Sequence, residues 1–393
     1  MEEWKEYRLG EVVNILDYKR IPLSSAERKT REGRFPYYGA QGIIDYIDDY
    51  IFDGTYLLIA EDGENLKSKK QDIAQLAHGK YWVNNHAHIV ESNGICDIRY
   101  LCYILNNIDL SGYITGSAQP KLNQANLSAI SIILPSLNLQ EQIADFISMF
   151  DNKIELNRRI NDNLEQQAQA LFKSWFVGFE PFKEGKFVDS ELGRIPEGWR
   201  VERLGSVCKC LLGGTPSRNK EEYWNGKIAW INSGEINEFR ITKPSEYITQ
   251  EGLKKSVTKL LPKKTTVLAI TGATLGQVSL LEIDSCANQS VIGLLENEDI
   301  FHEYIYPLIK NRIDDLCSHM TGGAQQHINK NNVEQLEILV PPKKILVEYK
   351  QIATPIYSLI SNICFESQKI SKLRDSLLPR LMSGELKLDK INN

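Results

Sequence analysis

The sequence predicts an α+β fold: two similar domains separated by two long helices that pair as an antiparallel coiled coil. Three observations predict it. The segment T-G-S-A-Q-P-K-L-N from Thr115 returns 206 residues later as T-G-G-A-Q-Q-H-I-N from Thr321. Strand-length apolar runs, bounded by Gly, Asn, Asp or Pro, surround each copy. After each copy an apolar stripe keeps a 3.5-residue period over four heptads, which is a coiled-coil seam.

The duplication begins at the N-terminus. Glu2-x-Trp4-Lys5-x-x-Arg8-Leu9-Gly10 matches Glu197-x-Trp199-Arg200-x-x-Arg203-Leu204-Gly205, an offset of 195. Further on, Thr115/Thr321, Gly116/Gly322, Ala118/Ala324, Gln119/Gln325, Asn123/Asn329, Asn126/Asn332 and Pro135/Pro341 correspond. The growth in offset puts about a dozen extra residues into surface loops of the second copy. The chain divides into a first domain (1–138), a long helix (139–179), a connector (180–198), a second domain (199–342), and a second long helix with a tail (343–393).

Strands are expected at 42–47, 55–60, 82–90 and 130–134, and again at 265–271, 277–281, 290–295 and 336–340. Short helices are expected at 100–106 and 304–315. One seam reads Ile143, Ile147, Phe150, Ile154, Asn157, Asn161, Leu164, Ala168, Leu171 and Trp175. The other reads Ile352, Ile356, Leu359, Ile363, Glu366, Ile370, Leu373, Leu377 and Arg380. Polar residues midway lower stability but fix register. A helix of some 35 residues is roughly 50 Å long. Pro355 is expected in the first turn of its helix, and Pro379 to kink or end it. The Gly-, Pro- and charge-rich stretch 180–198 reads as a connector.

Lys and Arg total 46 against 51 Asp and Glu, a net charge of −5, so any polyanion site must be a local patch. No apolar run reaches membrane-spanning length, and the start M-E-E-W-K-E-Y lacks a signal-peptide core. Seven cysteines without a C-x-x-C pair suggest reduced thiols in a cytoplasmic protein.

Catalytic motifs are missing. There is no G-x-x-x-x-G-K-[ST], no G-x-S-x-G and no H-E-x-x-H. His86-x-His88 can hold a metal only if a carboxylate joins it; otherwise the two lie on one strand, one buried and one in a loop-facing site. Cys208 and Cys210 read as core or surface thiols before metal ligands. No catalytic or metal site is expected.

Binding features are richer. Residues 252–281 hold Lys254, Lys255, Lys259, Lys263 and Lys264 and no acid; copy one has Lys67, Lys69 and Lys70. Such lysines bind phosphates or form a solvated face. Polar loops carry Tyr37, Tyr38, Gln41, Asn84, Asn85 and His86 in the first half. In the second they carry Thr215, Ser217, Arg218, Asn232, Ser233, Thr271, Thr274, Gln277, Asn288 and Gln289. These residue types read base edges, and they also build ordinary turns. Gly116 and Gly322 are expected at positive φ or close to another backbone, while Gln119 and Gln325 either touch DNA or cap a turn.

Several motifs in this order resemble those of the specificity subunit of type I restriction–modification systems. They are W-x-x-x-R-L-G at Trp4 and Trp199, G-G-T-P-S-R at Gly213, T-G-G-A-Q at Thr321, E-Q-I-A at Glu141 and K-Q-I-A at Lys350. G-x-I-P-x-G-W at Gly193 and K-L-R-D-S-L-L-P-R-L-M-S-G-E-L at Lys372 fit as well. The resemblance implies that each domain is a target-recognition domain reading one half of a bipartite double-stranded DNA site, with the coiled coil setting the gap. It implies two methyltransferase subunits, which methylate adenine N6 with S-adenosylmethionine, and restriction subunits that cleave DNA using ATP and Mg2+. The chain itself is then no enzyme and binds no cofactor. The alternative is a non-DNA scaffold with two ligand- or protein-binding domains, against which the basic stretch argues.

Overall fold

The computed structural model describes residues 4–116, 119–318 and 327–388. The expectations for Ala118, Thr321, Gly322, Ala324 and Gln325 lie outside the described residues. The chain forms two compact units, Met1–Lys153 with Ile370–Asn393, and Ile154–Lys369. The long helices, Leu137–Phe176 and Lys343–Met382, each contribute to both. Each unit therefore holds one α+β domain, the start of one long helix and the end of the other.

In the first unit six strands lie in the order Val13–Ile15, Ala87–Ser92, Phe52–Ala60, Ala74–Val83, Glu32–Gly39, Gly42–Ile47. All neighbours are antiparallel except Glu32–Gly39 beside Ala74–Val83, where Tyr37 and Tyr38 run parallel to Trp82 and Val83. A separate pair joins Lys5–Arg8 to Ser131–Leu134. Leu57, Leu58, Ile59 and Ala60 are all buried, because the helix Ile98–Asn107 and a second apolar layer cover opposite faces of the sheet.

The second unit repeats this topology with two strands broken. One sheet runs Lys209–Leu212, Val291–Leu295, Thr266–Ala269, Val278–Leu280. The other runs Leu260–Leu261, Ser285–Ala287, Trp224–Ile231, Glu246–Ile248. The long strands of the first unit correspond to Leu260–Leu261 plus Thr266–Ala269, and to Val278–Leu280 plus Ser285–Ala287. The first unit bends there on a Gly54–Gly79 pair, both at positive φ. The second has Pro262, which cannot donate to a ladder, and Lys264 at φ 69°, so pairing stops. The small sheet also recurs, as Arg200–Arg203 with Glu337–Val340. Asn123 and Asn329 each cap a short helix by accepting the N–H of Asn126 or Asn332 at 2.8 Å.

Three expectations need correction. The strand expected at 82–90 is two strands, broken at 84–86 by a turn. The connector is folded: Phe187–Ser190 and Gly193–Pro196 form a hairpin, and Ile195 joins the core. Pro355 lies well inside its helix, which already starts at Lys343. Pro379 stands in the last turn of that helix, which ends at Met382, just before Ser383-Gly384 as expected, with Gly384 at φ 71°.

The helices pair antiparallel within each unit. Arg374 meets Asp151 at 2.5 Å in the first unit. In the second, Asn157 donates to Glu366 at 2.8 Å and Asn161 to the Cys364 sulfur at 3.3 Å. The first-helix seam holds at Ile147, while Phe150 and Ile154 are half-buried; further along the inward positions are Glu165, Ala168, Phe172 and Phe176, leaving Leu164 and Leu171 on the flank. In the second helix the phase is one residue off. Leu346, Tyr349, Ala353, Tyr357, Ile360, Leu378 and Leu381 are buried, with Cys364 and Arg374 between them. Leu359 and Leu373 remain 46% and 49% exposed, and Ile356, Ile370 and Leu377 lie on the flank. The seam's centre is polar and its start aromatic, so a stripe drawn through Leu and Ile alone takes the neighbouring phase. Ile363 is buried beside the true seam.

Aromatic packing roots the end of the first helix in the second unit. Phe176 lies 4.8 Å from Tyr304, 4.7 Å from Tyr349 and 5.8 Å from Trp199 between ring centres. Such pairs add about 0.5–1.5 kcal/mol each beyond area burial. An ionic anchor stands nearby. The fully buried Arg240 guanidinium bonds Glu165 of the first helix at 2.9 Å and the Tyr306 hydroxyl at 3.0 Å. Glu282 bonds Lys264 at 2.6 Å and accepts from Ser361 of the second helix at 2.7 Å. Burial works against the Glu165 carboxylate, but Arg240 and Lys310 outweigh it and hold its pKa below the usual range.

Candidate nucleic-acid interface

Both units carry the same set of turns at one end of their strands. After the parallel pair Tyr37–Tyr38/Trp82–Val83, the chain turns at Asn84-Asn85-His86; after the parallel pair Trp230–Ile231/Cys286–Ala287 it turns at Asn288-Gln289-Ser290. The Asn84 N–H donates to the Tyr38 carbonyl at 3.0 Å and the Asn288 N–H to the Ile231 carbonyl at 3.0 Å. The Asn84 side-chain oxygen accepts the His86 N–H at 2.8 Å, and that of Asn288 accepts the Ser290 N–H at 3.0 Å. Each is an Asx turn, which satisfies its own backbone and points the next side chain outward.

A second turn lies beside the first. The Glu61 N–H donates to the His86 carbonyl at 2.9 Å, as the Ile270 N–H does to the Ser290 carbonyl at 2.9 Å. The segment after T-G-x-A-Q docks on this turn. Leu122 donates to the Glu61 carbonyl at 2.8 Å, and Ile328 to the Ile270 carbonyl at 3.1 Å. Gly116 has φ 85°, and a Cβ there would sit 2.2 Å from the Gln119 carbonyl oxygen, so only glycine fits. A third turn differs between the units. In the first it is the tight Ala40-Gln41 hairpin closed by Gly42 at φ 112°; in the second a longer loop runs from Asn232 to Ser245.

The support beneath the turns differs too. In the first unit buried His88 faces Asp17 at 2.5 Å through Nδ1 and the Leu122 carbonyl at 2.7 Å through Nε2. Arg20 bonds Glu61 at 2.6 Å, and Lys121 approaches it at 3.2 Å. Burial opposes the charge on Asp17, but His88, the Ile89 N–H and Arg20 outweigh it, so its pKa falls below the ordinary 3.8. Glu61 likewise falls below 4.5, with burial overcome by Arg20, His88 and Lys121. At the matching crossing of the second unit stand Leu212 and Ile292.

The expected contact residues separate into three groups. On the turns and exposed are Gln41, Asn85, His86, Ser217, Gln277 and Gln289, with Tyr38, Thr215, Ser233 and Thr271 half-buried. Thr215 donates to Gln289 at 2.5 Å, and His86 pairs with Asp62 at 2.7 Å. A second group builds the turns from within. Tyr37 is buried, its hydroxyl accepting the Leu23 N–H at 2.9 Å; Asn84 and Thr274 are buried; Asn232 and Asn288 spend their side-chain oxygens on backbone. Arg218 is exposed but already engaged, bonded to Glu246 at 2.8 Å and stacked 3.7 Å over Trp224. These are corrections, because small polar residues that hold a turn have the same composition as residues that read bases.

The third group is the lysines. Lys67 and Lys69 reach the carbonyls of Gly116 and Ile108, while Lys70 is exposed. Lys254 and Lys255 end a short helix packed on Tyr223, at the opposite end of strand Trp224–Ile231 from Asn232, and Lys255 pairs with Glu251. The Lys263 backbone N–H donates to the Asp284 carboxylate at 2.7 Å, at the opposite end of Ser285–Ala287 from Asn288. The basic stretch and the polar turns are thus not brought together. His86 and His88 have separate surroundings: His86 lies in the turn against Asp62, and His88 is buried between Asp17 and the Leu122 carbonyl. Cys208 and Cys210 are core residues.

Sequence reasoning missed a matched clamp. Arg28 bonds Asp45 at 2.9 Å over the Tyr37 ring; Arg218 bonds Glu246 beneath Trp230. Asp45 pairs across from Tyr37 as Glu246 does from Trp230. The two arginines share no local sequence, so only strand register reveals the match.

A duplicated pair of α+β recognition domains, each ending in polar turns and joined to paired long helices, defines a class of DNA-specificity proteins. The family model for the type I restriction modification DNA specificity domain matches residues 1–166 and 196–375, and the chain belongs to this family. Its members recognise DNA for a restriction–modification complex and have no catalytic activity of their own, which decides against the scaffold reading. The type I restriction enzyme MjaIX specificity subunit of Methanocaldococcus jannaschii is 27% identical, covering 99% of this chain and 98% of its own length. The HindI specificity subunit of Haemophilus influenzae is 24% identical, over 98% of this chain and all of its own. The crystal structure of a type I restriction–modification S subunit from M. genitalium shares the fold, with a TM-score of 0.59 at 14% identity over 97% of this chain and 96% of its own. Among the described residues no helix is long and apolar enough to cross a membrane.

Proposed function

We propose that each unit reads one half of a bipartite, asymmetric site in double-stranded DNA, with its exposed turn residues placed in the major groove. The observation that carries this reading is the pair of equivalent turns bearing different side chains: Asn85-His86 in one unit, Gln289-Ser290 in the other. A shared frame with unlike side chains suits two unlike half-sites, since amide and imidazole groups match different base edges. The paired helices hold the gap between half-sites constant. The duplicated architecture seats two methyltransferase subunits, and restriction subunits join the same complex. S-adenosylmethionine, ATP and Mg2+ then serve those partners, and the complex works in the cytoplasm.

Methylation mapping of DNA modified by the complex tests this. Exchanging Asn85 and His86 for Gln and Ser is expected to change one half-site and leave the other half and the gap as they were. A change in both halves, or in neither, would sink the assignment.

A further inference from the structure

Three metal-ligating side chains converge in the second unit, away from the polar turns. Glu296 follows the strand Val291–Leu295, and His302 and Glu303 open the helix His302–Asn311. One carboxylate oxygen of each glutamate and a ring nitrogen of His302 lie within 4.8 Å of one another. His302 Nδ1 stands 2.7 Å from Glu296 Oε2 and 3.3 Å from Glu303 Oε2. The spacing hides these three from a motif search, since His302 and Glu303 are neighbours and Glu296 lies in the preceding loop.

Glu303 is what distinguishes the cluster from an ordinary ion pair. Its side chain is 1% exposed. Oε1 accepts from the Thr354 hydroxyl at 2.6 Å, while Oε2 is buried and accepts no hydrogen bond among the described residues. His302 Nδ1 faces Glu296, and one N–H cannot serve both carboxylates. A buried carboxylate oxygen without a donor is costly unless a cation meets it. The first unit supplies the contrast. Asp17, Glu61 and His88 are gathered as closely, but Arg20 and Lys121 engage the carboxylates and the Leu122 carbonyl faces His88 Nε2, so every ligand atom there is spent.

The geometry fits zinc. At bond lengths of about 2.0–2.2 Å, two ligand atoms of a tetrahedral ion sit about 3.3 Å apart. Glu303 and His302 already stand at 3.3 Å, and the Glu296 side chain, 37% exposed, is free to give way from 2.7 Å. An imidazole with two carboxylates favours a transition ion over Mg2+. The solvent side at Glu296 leaves the fourth position to water, and Thr354 is the outer support that ligating carboxylates ordinarily have.

We propose that Glu296, His302 and Glu303 bind one zinc ion, which ties the end of strand Val291–Leu295 to the start of helix His302–Asn311 and, through Thr354, to the second long helix. The site is independent of the DNA reading. The test is a zinc titration of the full chain against a competing chelator, with excess Mg2+ present. One tight zinc is expected, with a rise in melting temperature on binding. Glu296→Gln and His302→Gln should each abolish it, and Thr354→Val should weaken it about 10-fold. Glu296 lies toward solvent, so its variant should keep the zinc-free melting temperature, and the result does not hang on the buried positions. Absence of a tight zinc would overturn the proposal. Zinc that survives both Glu296→Gln and His302→Gln would also overturn it and assign the ion to the cysteines.

Discussion

At the same crossing of two strands the first unit has Asp17 against His88 and the second has Leu212 against Ile292. Above both crossings the same backbone carries the same Asx turn. One unit fills this crossing with buried charge; the other has two aliphatic residues at matching register, Ile292 buried and Leu212 37% exposed. The difference teaches that the turn geometry is set by strand register and the asparagine, while the support beneath is free to diverge. It also makes the units respond differently to pH. The second unit places its buried charge elsewhere, at Arg240, where the domain meets its helices.

The largest way to break this comparison is at Arg240. Arg240→Met leaves the buried Glu165 with only Lys310 and the Gln169 amide, and we expect a loss of about 3–5 kcal/mol in denaturant unfolding of the full chain. A loss under about 1 kcal/mol would mean that the cluster is hydrated rather than buried. Next comes His88→Leu, which leaves the Leu122 carbonyl without its donor and Asp17 with only the Ile89 N–H and Arg20, at about 2–3 kcal/mol. Hydrogen exchange should rise in residues 119–122 and stay unchanged in the second unit.

Acid should separate the units in the same direction. Asp17 and Glu61 are held below their ordinary values of 3.8 and 4.5, so their charged forms stabilise the fold. That contribution is full above those values and is lost as pH falls through the lowered ones. Hydrogen exchange followed between about pH 5 and pH 2 should show the Glu61–His86 turn loosening before the Ile270–Ser290 turn. The reverse order would refute the ionic account.

Smaller effects sharpen the likeness instead. Asn84→Ala and Asn288→Ala should each cost about 1 kcal/mol, because each removes the same acceptor from the same turn. Unequal costs would show that the turns are alike only in outline. Lys255→Gln should leave both the melting temperature and the recognised sequence unchanged, since its ammonium is solvated at the far end of the strand from Asn232. An altered sequence preference would return the basic stretch to the DNA.

Much of the frame was legible in the sequence. Trp4/Trp199 marked the start of each copy, Asn123/Asn329 and Pro135/Pro341 kept their spacing, and the strands at 42–47, 291–295 and 337–340 announced themselves by β-branched runs. The match of Asn84 with Asn288 was hidden because insertions shift the offset along the chain and one asparagine is a weak signal. The helix seam was misphased because Cys364, Ser367 and Arg374 face the partner helix where a pattern search wants Leu or Ile. Arg218 looked like a DNA contact because sequence shows its charge and not the carboxylate that neutralises it.

The first unit takes its last pieces from the far end of the chain. Leu378 and Leu381 sit in the same core as Leu57, Leu127 and Ile143, and Gly384 lies against the Trp4 ring. The domain made first on the ribosome therefore finishes last. At about 5–20 residues per second, some tens of seconds separate synthesis of its sheet from arrival of the helix that seals it. Through that interval its core lies open along one side, and sequence-distant closure of this kind is the slow, chaperone-dependent part of folding. The two similar domains are thus made in one order and completed in another.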